Sequence, residues 1–189
     1  VQLDPRNATA QNNLAVEATD AGEYAQALPP LLATMKLAPH SADNAMSLAL
    51  LYSLLHRSED AVKAFDLVQP DTPLAKALVA AGRLTYQSVL DPKLHAQALA
   101  AADALRKRSD LDPTSMGDVL QLYGALGQNA TMLEQLPKMC AALRVACNDL
   151  SVNPVWLPLR GQPAFEALVK KYDTISQPPA SAASSPSSP

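Results

Sequence analysis

The sequence predicts an all-α fold, a solenoid of antiparallel helix pairs with a C-terminal capping helix. Pro5, Pro39 and Pro73 are evenly spaced (39 − 5 = 34; 73 − 39 = 34), and Leu14-Ala15 recurs in the same register as Leu48-Ala49. A period of about 34 residues with helical patterning inside each unit is typical of helix–turn–helix repeats. Alanine and leucine supply most of the apolar content, and aromatic residues make up only 4% of the 189 residues. This composition favours closely packed helices over strands.

The first complete unit is predicted to contain two helices. Residues 8–21 form the first, with Asn7 as its N-cap, and Gly22 supplies the turn. The second begins at Tyr24 and contains Pro29-Pro30. Because an interior proline removes a hydrogen bond and clashes one turn back, this helix either starts late or bends, and we expect a bend.

The later units follow the same scheme with growing drift. Ser41 is the predicted cap of the second unit, and the interval from Pro73 to Pro113 has lengthened (113 − 73 = 40). The remaining paired helices are predicted over 42–56, 59–68, 74–90, 94–108, 114–126 and 132–147.

The helical periodicity lapses after Asn148. Residues 153–163 form a proline-rich segment, here called the connector, and 164–172 are predicted as a short helix. Solenoids need a cover over their last apolar face, and Trp156 and Phe165 are the expected plugs. The predicted layout is a preceding-repeat tail (1–7), helix pairs (8–147), connector and cap (148–176), and a disordered Ser/Pro/Ala tail (177–189).

The sequence offers little for catalysis or for ligands other than protein. His40, His56 and His95 are scattered without an HxxxH or HExxH pattern, and no CxxC, phosphate loop or GxSxG motif occurs. Asp103 and Asp110 are predicted to lie on a solvated charged face. We therefore expect no catalytic residue, no cofactor and no metal. A net charge of −3 without a basic run argues against nucleic-acid binding, and no apolar run approaches ~18 residues.

The chain has two cysteines, Cys140 and Cys147. Seven residues span ~10 Å on a straight helix, which is beyond disulfide reach. The sequence therefore predicts two small, buried or half-buried free thiols. A bridge would require the helix to break between them.

Several residues together resemble the tetratricopeptide repeat: Leu14-Ala15, Gly22, Tyr24, Ala27, Leu37, Pro39, Leu48-Ala49, Tyr52, Ala61 and Phe65. The resemblance covers roughly residues 3–147 and is most specific in the first two units. It departs from the family at Gln11 and Ala45, where a bulky residue is preferred. It implies a right-handed superhelix whose first helices line a concave groove that binds peptide or protein segments.

The connector and the start of the last helix, residues 153–165, resemble a second pattern. It closes the C-terminal repeat arrays of bacterial signalling proteins, including membrane-tethered winged-helix regulators, adenylate cyclases and serine/threonine kinases. This implies the sensory or docking part of a larger regulatory protein, cytoplasmic or, behind a membrane span, periplasmic. The chain does not begin with Met, so we expect a piece of a longer protein. The oligomeric state stays open.

The groove implied by the repeat resemblance is predicted to be lined by side chains that point away from the packing stripes, which are Leu14-Ala15 on the first helix and Leu48-Ala49 on the third. These are Asn12, Val16, Thr19, Asp43, Met46, Leu50, Ser53, Lys76 and Arg83. Met46 and Leu50 could instead pack against a neighbouring unit, and Lys76 and Arg83 could grip a terminal carboxylate with Asn12. The predicted function is non-catalytic protein or peptide binding. The alternative is a structural scaffold whose groove is permanently filled by another subunit or by itself.

Overall fold

The computed structural model of the chain describes residues 7–175, and within this range every regular element is a helix. The expectations for residues 1–6 and 176–189 lie outside the described residues. The α-helices are α1 (Ala8–Asp20), α2 (Tyr24–Leu37), α3 (Ala42–Leu54), α4 (Ser58–Lys63), α5 (Pro73–Leu90), α6 (His95–Arg106), α7 (Pro113–Ala125), α8 (Asn129–Ala142) and α9 (Pro163–Tyr172). Short 3₁₀ turns cover Ala64–Asp66, Pro92–Leu94, Arg144–Cys147 and Pro154–Leu159.

The first helix of each predicted pair begins at a side-chain cap. Asn7, Ser41, Thr72 and Asp112 each accept a hydrogen bond from the backbone N–H three residues further on. This satisfies one of the N–H groups that a helix start leaves without a partner. The predicted caps Asn7 and Ser41 are confirmed. Gly22 has φ of +78°, a conformation that glycine adopts without strain, and joins α1 to α2.

The helix α2 runs from Tyr24 through Pro29-Pro30 to Leu37, so the late start considered from the sequence is wrong. The carbonyls that lose their N–H partners belong to Ala25 and Gln26, which are exposed and can turn to solvent. The bend at this point stays a prediction. Elsewhere the predicted 59–68 helix is shorter, ending at Lys63 before a 3₁₀ turn.

The helices pack in neighbouring pairs along the chain. Each of α1 to α7 contacts the next, and α5 also contacts α3 and α7. In addition, α3 of the second pair contacts α7 of the fourth pair. In an open solenoid each unit contacts only its neighbours. The contact between α3 and α7 therefore departs from the packing of an open solenoid.

Several small residues are buried in the core. Ala27, Ala49 and Ala61 are fully buried, and their place at close helix crossings stays a prediction. The predicted stripe fails at Leu14, which remains 36% exposed while the adjacent Ala15 is buried. Leu14 lies on the outward face of the first described helix, where no other described helix covers it.

Cys140 and Cys147 form a disulfide, with their Cα atoms 5.6 Å apart. The prediction of free thiols is wrong because α8 ends at Ala142 rather than at residue 147. Leu143 then adopts an extended conformation, with φ −140° and ψ 87°, and the following 3₁₀ turn brings Cys147 back beside α8. The helix break that a bridge requires is therefore present.

The connector and α9 cover the end of the last helix pair. The 3₁₀ turn Pro154–Leu159 packs against α7 and α8, and α9 packs against α8. Trp156 and Phe165, the expected plugs, are 3% and 1% exposed. Within residues 7–175, no helix combines the length and the apolar character needed to cross a bilayer.

Candidate binding cleft between the first helices and the connector

A cleft opens where α1, α3 and the connector meet, with a volume of about 110 Å³. Its walls come from α1 between residues 12 and 20, from α3 between 47 and 51, and from 153–155 of the connector. Leu31 and Gln121, both buried, close its base. The cleft thus joins segments that are more than 100 positions apart in the sequence.

Asn12, Val16, Thr19 and Leu50, all predicted groove residues, line this cleft. Val16 is 46% exposed, and Leu50 is half-buried. The Thr19 hydroxyl donates a hydrogen bond to the Ala15 carbonyl at 2.6 Å, so its donor is already used within α1. The structure therefore places these four residues around one opening, and their role in binding a partner stays a prediction.

Met46 and Ser53 lie elsewhere. Met46 is 1% exposed and packs against α5, where its Sδ would lie 3.0 Å from a Cβ added at Gly82. Met46 therefore packs against the neighbouring unit, which is the alternative considered from the sequence. Its side chain is not available to a partner. Ser53 is exposed and borders a second opening of about 190 Å³, which Pro154 and Val155 also line.

The expected carboxylate grip is not assembled. Arg83 forms an ion pair with Asp66, which follows α4, with an N–O distance of 2.5 Å. Lys76 is exposed one turn after the start of α5, and neither residue lines the cleft that contains Asn12. Because Arg83 is turned toward the second helix of the preceding pair, it cannot face the same ligand group as Asn12.

Asp43 is exposed in the first turn of α3 and faces Asp118 of α7 rather than the cleft. The Oδ2 atom of Asp118 is buried and has no hydrogen-bond donor. Burial, and then the negative charge of Asp43, raise the pKa of Asp118 well above its usual value. A protonated Asp118 can donate a hydrogen bond to the Asp43 carboxylate, so Asp43 faces α7 rather than the cleft.

Gln121 is the residue of this region that the sequence pattern missed. Its amide Nε2 donates to the Met46 carbonyl at 2.8 Å and to the Tyr86 hydroxyl at 3.1 Å. It therefore ties α3, α5 and α7 together beneath both openings. A glutamine on the inward face of an otherwise apolar helix is the only sequence signal, since buried amides need partners.

The connector also lines the openings next to α3 and α7, a position that its composition does not predict. Pro154 and Val155 line both openings, and the Val155 carbonyl lies 3.8 Å from a Cβ added at Gly124 of α7. The connector thus borders the space between the first helices in addition to covering the end of the last pair. Chain distance hides this role, because nothing local to residues 153–155 indicates α1 or α3 as neighbours.

The cleft carries negative charge at one end. Asp20, the last residue of α1, lines it, and Asp149 lies close enough to interact with Asp20. Burial, followed by the charge of Asp149, raises the pKa of Asp20 to about 6. Burial likewise raises the pKa of Asp149, against a hydrogen bond from Asn153 that lowers it. Among residues 7–175, no cation pairs with Asp20.

Asp103 and Asp110 make separate contacts with neighbouring side chains. Asp103 accepts a hydrogen bond from the Tyr123 hydroxyl, whereas Asp110 pairs with Arg108 through both of its oxygens. The two aspartates therefore serve separate contacts rather than forming an acid/base pair. In the described part of the chain, no group of three or more His, Cys, Asp or Glu residues is arranged to hold a metal ion.

Comparison with known proteins adds no relative: no family model matches the chain, and neither a curated protein nor a solved structure is significantly similar to it.

Proposed function

We propose that this chain is a non-catalytic protein-binding module that holds a segment of a partner in the cleft between α1, α3 and the connector. The observation that carries the proposal is the convergence of Asn12, Val16, Thr19 and Leu50 on one opening. Apolar walls with a few convergent polar groups are typical of binding pockets. The proposal keeps the tetratricopeptide-like organisation that the repeated residues imply.

The size of the cleft limits what it can hold. An apolar cavity of about 150 Å³ is enough for a benzene molecule, and this cleft measures about 110 Å³. It therefore accepts one side chain rather than a length of peptide. The rest of the segment would lie along the exposed rim, which includes Val16 and Ser47.

The resemblance of residues 153–165 to the ends of bacterial repeat arrays extends the proposal. In that setting the chain would be the sensory or docking part of a larger regulatory protein. A cleft that anchors one side chain suits such reversible docking, because a small contact area limits affinity.

A second candidate is a structural scaffold whose groove is permanently filled. The position of the connector favours it, since Pro154 and Val155 already occupy the space between α3 and α7. In this case the cleft is a packing remnant, and the chain fills its own groove.

A display selection of random 12-residue peptides on the purified full chain tests the proposal. Val16→Glu and Leu50→Glu place a charge in the cleft wall and should abolish binding of the selected peptides. Val89→Glu is the matched control, because Val89 is similarly exposed but lies at the far end of α5. Circular dichroism of each variant checks that helicity is retained.

Loss of binding in the two cleft variants, with binding kept in the control, supports the proposal. If no peptide is enriched, or if the selected peptides bind all three variants equally, the chain does not use this cleft. The scaffold candidate predicts that outcome. It also predicts slow amide hydrogen exchange at Val155 and Trp156.

A further inference from the structure

We propose that the side chain anchored in this cleft is basic, a lysine or arginine of the partner. The inference deepens the proposed function, on which it rests.

The charge among the lining residues is negative. Asp20 lines the opening, Asp149 lies within its electrostatic reach, and no lysine or arginine is among the lining residues. Arg160 approaches the connector next to the cleft, but its guanidinium donates to the carbonyls of Val152 and Asn153. A cation in the cleft would relieve the repulsion between the two carboxylates.

The helix that carries Asp20 adds to this field. Asp20 is the final residue of α1, and the last turn of that helix contains no basic residue. The C-terminus of a helix carries partial negative charge, so a carboxylate there is unfavourable and a cation is stabilising. The backbone and the side chain therefore favour the same sign of ligand charge.

The walls fit the aliphatic part of such a side chain. Val16, Leu50 and Val155 present apolar surface around the opening, while Asp20 lies at one end. Lysine and arginine bury an apolar stem and keep a charged head in a polar place. A purely apolar side chain would leave the carboxylates uncompensated, and an acidic one would add a third negative charge.

The open hydrogen-bonding groups agree with this. Thr19 and Gln121 use their donors on carbonyl or hydroxyl groups of the chain, and Asn153 donates to Asp149. Asn12 and Ser47 also line the cleft, and each offers an acceptor as well as a donor. The carboxylate of Asp20 is left as an acceptor without a donor among the described residues. An ammonium or guanidinium group supplies donors only.

Small probes test the inference without requiring a peptide ligand. The ¹⁵N-labelled full chain is titrated with n-butylammonium and n-butylguanidinium, which reproduce the two side chains. The neutral and anionic controls are 1-butanol and butyrate. We expect amide shifts confined to residues 12–20, 47–51 and 153–155, and binding of the cations about tenfold or more tighter than that of butanol.

Asp20→Asn should weaken cation binding about tenfold, since it removes the charged acceptor and keeps its shape. Asp71→Asn, which removes one charge at an exposed site outside the cleft, should leave it unchanged. Equal binding of butanol and the cations, stronger binding of butyrate, or shifts outside the cleft would each overturn the inference.

The peptide selection separates this inference from the proposed function. Peptides that depend on Leu50 but carry no enriched lysine or arginine would keep the function and overturn the basic anchor. An absence of selected peptides, together with cation binding that is lost in Asp20→Asn, would keep the basic pocket and overturn the protein-binding function.

Discussion

The disulfide between Cys140 and Cys147 provides the most direct test of the physical reasoning. It joins the last turn of α8 to the 3₁₀ turn that leads toward the connector, and both sulfur-bearing residues are buried. Reduction leaves the same atoms in the core, so the packing loss is small. The main effect is the release of a constraint on the unfolded chain.

The magnitude follows from the length of the closed loop. With a sequence separation of 7, the loop-entropy relation gives a change of about 2.1 + 1.5R ln 7, or about 7.9 cal/mol/K. At 25 °C this corresponds to about 2.4 kcal/mol of unfolding free energy. For a urea dependence of about 2 kcal/mol/M, the unfolding midpoint of the reduced chain should fall by about 1.2 M.

Urea unfolding of the full chain, followed by circular dichroism with and without a phosphine reductant, measures this shift. The Cys140→Ala/Cys147→Ala double variant is the control, because its stability should not respond to the reductant. A shift below about 0.3 M in the wild-type chain would refute the entropic reasoning. An equal shift in the double variant would show that the reductant acts elsewhere.

Other predictions concern burial and packing. Asp118→Asn should stabilise the chain at pH 8 but not at pH 3. The folded state keeps the Asp118 proton to higher pH than the unfolded chain does, so the stability of the wild-type chain falls as pH rises above about 4. A variant that is less stable than wild type at pH 8 in urea unfolding would contradict the raised pKa of Asp118. Trp156→Ala should cost roughly 3 kcal/mol or more in the same assay, and an unchanged midpoint would mean that the connector does not contribute to the core. Gly82→Ala should cost about 1–3 kcal/mol, because the added Cβ would lie 2.5 Å from Cε1 of the buried Phe65. Gly117→Ala is the control, because a Cβ added there meets only Met139, at 4.0 Å. This substitution should stabilise α7 by about 0.5–1 kcal/mol. Similar thermal shifts in both alanine variants would show that close packing at Gly82 is not the cause.

Much of the helical framework could be predicted because its signals are local. Asn7 and Ser41 cap their helices through bonds that span three residues, and Gly22 needs only its own positive φ. The buried alanines follow from the repeat register. Helix ends were less predictable: α8 stops at Ala142, where no proline or glycine marks the end.

The candidate cleft could be predicted only in part. Asn12, Val16, Thr19 and Leu50 were found because the face of a helix follows from its 3.6-residue period. The same helical period predicts that Met46 lies in the groove. Met46 is buried instead, because α5 approaches α3 closely at Gly82. Which exposed face a neighbouring helix covers depends on crossing geometry, and helical period alone does not contain it.

The sequence alone determined that the described chain is helical, where most helices begin, and which side chains share one face of a helix. These properties depend on interactions within about four residues, where backbone geometry leaves few choices. Tertiary structure alone decided that the connector borders the first helices, that Gln121 links α3, α5 and α7, that Asp20 faces an opening near Asp149, and that the cysteines meet. Those contacts join segments that are distant in the sequence. Many tertiary arrangements are compatible with the same local helical pattern, so only the packing of the helices decides which distant segments meet.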